Sequence, residues 1–124
     1  LNSSIDQVHE KIANGCCRLP NSAFASISRD LHLKIWQASS VETFRTPLSH
    51  SLKCVAASKD GLSLAVGAYD GSVVIFDLES KSFRPVERPT ASGISSLVSF
   101  EDSFLAGSYD GNVYKIAAAA SREC

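Results

Sequence analysis

Apolar residues along this chain come in short bursts separated by turn-forming residues, and no burst approaches the roughly 18 residues needed to span a bilayer. The stretch "LAVGAYDGSVVIFDL", Leu64 to Leu78, sets two apolar runs around Tyr-Asp-Gly. Nearly the same words return downstream as "LAGSYDGNVYKI", Leu105 to Ile116. Runs of this length, rich in β-branched and small residues and bounded by turn signals, predict strands. Asp-Gly accepts the positive φ of tight hairpin turns, so Asp70-Gly71 and Asp110-Gly111 predict two hairpins. A third copy, "FASISRDLHLKIW" from Phe24 to Trp36, is centred on Asp30, and the three aspartates are spaced by 40 residues each. Leu31 stands where the other copies have glycine, so a different turn is expected there.

Each copy carries further strands. "LKCVAAS" (Leu52 to Ser58) leads through Lys59-Asp60-Gly61 into "LSLAVGA", another hairpin by the same turn chemistry. After the second hairpin, "SFRPVERP" (Ser82 to Pro89) echoes "TFRTPLSH" (Thr43 to His50). Proline cannot donate to a strand ladder, so Pro47 and Pro85 predict an outer edge strand. The result is four antiparallel strands per unit of about 40 residues, small and apolar first and proline-bearing last, as in a β-propeller blade.

These residues resemble the WD-repeat propellers. Val8-His9, Asp30 and Ile35-Trp36 match the family's Gly-His, turn-aspartate and Trp-Asp frame in the first copy. Ser49-His50, Asp70-Gly71 and Phe76-Asp77 match it in the second. The third keeps Tyr109-Asp110-Gly111 but has Thr90 in place of the histidine and Ile116 in place of the tryptophan. The resemblance implies an all-β fold of four-stranded antiparallel blades in an incomplete ring of about three. Residues 9–49, 50–89 and 90–124 are then successive repeats, the last degenerate, and residues 1–8 a displaced outer strand or the remnant of a preceding blade. It also implies that His9, Ser26, Asp30, Trp36, His50, Asp70 and Asp110 form structural hydrogen-bond networks within blades.

Composition narrows the function. A chain of 124 residues, 44% hydrophobic and 20% charged, holds one core. Its formal net charge is −1 and its twelve basic residues are scattered, so the expectation is no nucleic-acid and no membrane partner. Cys16, Cys17, Cys54 and Cys124 have no metal-ligand spacing, and they read as reduced structural thiols of an intracellular protein. That places the chain in the cytoplasm, with the nucleus as the other compartment. The absence of methionine and the opening on Leu1 suggest a segment of a longer propeller. Two copies completing one ring, or end segments capping an open array, are the other resolutions.

The enzymatic alternative is a hydrolase using His9, Ser26 and Asp30, recognised by geometry and not by chain order. No phosphate-binding loop, dinucleotide fingerprint, nucleophile elbow or zinc motif accompanies it. The expectation is therefore a non-catalytic scaffold for peptide or protein partners, without cofactor or metal. The alternative is a sensor or regulatory module of a larger ATPase or kinase. Arg29, Tyr69 and Tyr109 precede the three turn aspartates and should form a row on one surface, where tyrosine and arginine suit a binding hot spot. The plainer expectation is that each tyrosine packs along its own hairpin.

Overall fold

The structure is a computed structural model and describes residues 13–118. The expectations for His9, Cys124 and the 1–8 segment lie outside the described residues. Strands β1 (Ala13–Leu19), β2 (Ala23–Ser28), β3 (His32–Gln37) and β4 (Ser40–Arg45) form one antiparallel meander. A second contains β5 (Leu52–Ala57), β6 (Ser63–Ala68), β7 (Val73–Asp77) and β8 (Ser82–Pro85). Among the described residues the third has three strands, β9 (Ile94–Phe100), β10 (Ser103–Ser108) and β11 (Val113–Ala117). The first strands lie side by side, β1 against β5 and β5 against β9, so the sheets fan out like blades from that line.

The central blade explains why its sequence does not alternate. Leu64, Val66, Ala68, Val74 and Phe76 point into one core with Ala25, Ile27, Leu33 and Ile35 of the first blade. Ala65, Val73 and Ile75 point the other way, into a second core with Ile94, Leu97, Phe104, Ala106 and Ile116. A sheet buried on both faces needs apolar residues at every position, and β6 is buried throughout. Closeness also limits size at this joint. A Cβ on Gly67 would lie 2.7 Å from Ile94 Cγ2 and 3.0 Å from Cys54 Sγ.

Three hairpin turns at one end of the blades share a single design. Leu31, Gly71 and Gly111 have φ of 69°, 91° and 90°, and each N–H donates back to the carbonyl of Ser28, Ala68 or Ser108. The expectation of a different first turn is corrected: leucine adopts the left-handed conformation that glycine adopts elsewhere. That conformation costs an L-residue roughly 1–2 kcal/mol. Two restraints oppose the cost. The Leu31 carbonyl accepts from both the N–H and the hydroxyl of buried Thr46, at 3.0 and 2.9 Å, and the Leu31 side chain packs on the first core.

Pro85 ends edge strand β8 as expected, but Pro47 lies past the end of β4, in the connection to β5. A feature that the sequence reading missed recurs in all three blades. Pairing skips one residue in each first strand: Asn14 in β1, Lys53 in β5 and Ser95 in β9. These are β-bulges, which bend a strand and re-aim the extra side chain. Asn14 donates to the Leu52 carbonyl at 2.7 Å and joins the first two blades, and Ser95 donates to Gly107 O at 3.1 Å.

Candidate functional site

The turn aspartates act first on their own backbone. Oδ1 of Asp30, Asp70 and Asp110 accepts the N–H two residues on, from His32, Ser72 and Asn112, at 3.0, 3.0 and 2.8 Å. This local closure is the Asx-turn preference of aspartate. The second blade adds His50, whose Nδ1 lies 3.2 Å from Asp70 Oδ2, and the Ser72 hydroxyl at 3.0 Å. Burial pushes the Asp70 carboxyl up, but the Ser72 bonds and the neighbouring His50 outweigh it and hold the group below its ordinary range. In the third blade Thr90 takes the histidine's place. Its hydroxyl donates to Asp110 Oδ2 at 2.7 Å, as does Tyr114 at 2.7 Å. Those bonds and the Asn112 N–H lower the Asp110 pKa to about 2.

In the first blade Trp36 Nε1 donates to Ser26 Oγ at 3.1 Å, while the indole ring stacks on Phe24 with centroids 5.6 Å apart. Ser26 is 8% exposed. A buried hydroxyl that accepts an indole hydrogen is held as a strut and is not presented to a substrate, which weighs against the hydrolase alternative. Among the described residues no group of three or more His, Cys, Asp or Glu side chains is placed to hold a metal. Adjacent Cys16 and Cys17 face opposite ways, one exposed and one packed on the first core. Burial, with Cys16 beside it, pushes the Cys17 thiol up to about 11. Burial pushes Cys54 up to about 12, against weaker lowering by the Gly67 backbone and Lys53. Thiols in that range are poor nucleophiles.

Arg29, Tyr69 and Tyr109 occupy equivalent places just before the three aspartates, and all three are exposed. The tyrosines stand 59% and 60% exposed. Their backbones are fixed, because Tyr69 N–H donates to Ser51 O at 2.8 Å and Tyr109 N–H to Gly93 O at 3.0 Å. Their rings meet across the blade boundary, with centroids 6.3 Å apart and planes at 61°. Tyr109 lies over Gly93, where a Cβ would come within 2.9 Å of its ring. Lys53, re-aimed by the β5 bulge, sets its ammonium 5.9 Å from the Tyr69 ring centroid. The structure therefore brings Tyr69 and Tyr109 together and adds Lys53 and Gly93, while Arg29 sits on the neighbouring turn. The only sequence hint of Lys53 was its place at the head of a strand beside the tyrosine turn.

Comparison with known proteins bears on this architecture. The profile of the family described as WD domain, G-beta repeat matches residues 39–77. No curated protein sequence matches the chain. Among solved structures, U3-55K is similar with a TM-score of 0.78 and 20% sequence identity, over 88% of this chain. The matched part is 37% of that chain's length. With 505 chains of known structure matching, the likeness identifies a fold and not a partner. The fold is one that generally acts as a protein-interaction module.

Two expectations are corrected here. The exclusion of nucleic acid does not stand, because the chain shares its fold with U3-55K and that fold carries no such exclusion. The cytoplasmic placement is withdrawn with it, since a fold shared at this distance does not fix a compartment. Both had rested on averages, net charge for one and thiol state for the other, which do not describe a surface. The strand order, the repeated Asp turns and the structural likeness together show the fold of a partial, three-bladed β-propeller of WD40 type, in which residues 39–77 match the WD-domain profile.

Proposed function

We propose that this chain is a non-catalytic scaffold that holds a peptide or protein partner on the surface formed by the β2–β3, β6–β7 and β10–β11 turns. Tyr69 and Tyr109 are its anchors and Arg29 its flanking cation. One observation carries the reading: two large aromatic side chains are kept 59% and 60% exposed and in mutual contact on turns whose backbones are locked. Tyrosine offers a large amphipathic contact area with few rotatable bonds, so little entropy is lost when a partner covers it. The hydrogen bonds of Ser26 with Trp36 and Thr90 with Asp110, and the approach of His50 to Asp70, support a structural role for the network residues Ser26, Asp30, Trp36, His50, Asp70 and Asp110. The division at 9–49, 50–89 and 90–124 belongs to the same reading.

The test is quantitative affinity capture from cell extract with the wild-type chain, a Tyr69→Ala/Tyr109→Ala variant and a Lys59→Ala/Glu79→Ala variant altered at the opposite turns. The proteins held by wild type should be kept by the second variant and lost by the first, with unfolding midpoints unchanged. Equal capture by all three would remove the tyrosine surface from the function.

A further inference from the structure

Three carboxylates and three cations stand around the tyrosine pair, and they differ in how far their polar atoms are already engaged. The carboxylates on this end are occupied: Asp30 and Asp110 by their turns and neighbours, and Asp70 by Ser72 and His50. The cations are less engaged. Among the described residues Arg29 and Lys53 have no carboxylate within ion-pair distance, and half-exposed Arg88 donates to the Asp70 carbonyl at 3.3 Å while standing 3.9 Å from Asp70 Oδ2. Lys53 owes its position to the β5 bulge, and bulges are over-represented where a side chain must be turned toward a site. An ammonium above a tyrosine face gains a modest cation–π attraction and keeps donors free for an incoming anion.

We propose that the segment held at this surface is an extended acidic peptide, one carboxylate of which is taken by Lys53 beside the Tyr69–Tyr109 pair, with Arg29 and Arg88 flanking it. The inference rests on the reading of this surface as the partner-binding one and adds its chemistry. Single-stranded RNA is the other polyanion that cations and aromatics attract, but it fits less well. Stacked bases need open ring faces. Here the rings are tilted by 61°, Tyr109 rests on Gly93, and Lys53 lies over Tyr69. Asp70 and Asp110 also line the path, and they would repel a continuous phosphate backbone more than a peptide with separated carboxylates.

The test is selection from a randomised nonapeptide library on the full 124-residue chain, followed by anisotropy titration of the labelled winner at two salt concentrations. The winners should be rich in Asp and Glu. Their Asn/Gln counterparts should bind roughly tenfold more weakly, and Lys53→Gln, which keeps two of the four methylenes and a hydrogen-bond donor but no charge, should cost a similar factor. Binding should weaken as salt rises. Winners without acidic residues that are still lost by Tyr69→Ala/Tyr109→Ala would overturn the acidic chemistry and leave the surface reading standing. Binding indifferent to both tyrosines, or no winner at all, would overturn both. An oligouridylate that binds more tightly than any peptide and is lost in Lys53→Gln would overturn the peptide and assign the cations to nucleic acid.

Discussion

At the scale of single residues, one Asp-Gly motif sits in two environments, and the difference can be measured. Gly71 and Gly111 share a left-handed φ, yet a Cβ on Gly71 would fall 2.1 Å from Thr90 O, while among the described residues nothing lies within 4 Å of one on Gly111. Gly111→Ala should cost only the conformational penalty, about 1–2 kcal/mol. Gly71→Ala must also move backbone, and urea unfolding should show a loss on the order of 3–5 kcal/mol. Equal losses would mean that the Thr90 segment yields freely. Thr46→Ala removes one of two bonds to the strained Leu31 carbonyl and should cost about 1–2 kcal/mol. Protonation gives another reading. The folded Asp110 pKa lies below the unfolded value, so its stabilisation is present above pH ~4 and is lost as pH falls through about 2. Asp110→Asn should therefore lower the melting temperature at pH 7 and make little difference near pH 2. The Asp-Gly turns were legible because glycine announces them. Leu31 was not, because its conformation depends on a threonine fifteen residues away.

At the scale of elements, the 40-residue period and the strand order were visible in the sequence, since apolar runs and turn residues recur in register. The bulges were invisible: one unpaired residue in a six- or seven-residue strand scarcely alters its apolar pattern. Their consequence is large, because the bulge in β5 aims Lys53 at Tyr69. The small residues of β6 answer crowding between blades, since a Cβ on Gly67 would run into Ile94. Gly67→Val should wedge the second and third blades apart and lower stability by about 1–3 kcal/mol in a denaturant titration. A smaller effect would show that β9 can shift without cost.

At the scale of the whole molecule, stability is shared through joints. The central blade is buried on both faces, whereas Val98 and Val113 of the third are 54% and 67% exposed. Between the first two blades, Lys81 spans to both Glu42 oxygens at 2.9 and 2.8 Å. That pair is exposed, and such pairs contribute about 0–1 kcal/mol, so the apolar cores hold the blades together. Net charge misled at this scale because it sums over surfaces that differ. The turn end sets Lys53, Arg29 and Arg88 beside aromatics and among carboxylates whose oxygens are already hydrogen-bonded, a local arrangement that a net charge of −1 does not reveal. The most direct test of the account is hydrogen–deuterium exchange of the full chain with and without a partner recovered by capture. Added protection should fall on the segments around 50–53, 69–71, 90–93 and 109–111. Protection confined instead to the opposite turns, near 59–61 and 79–81, or to the edge strands β4 and β8, would contradict it.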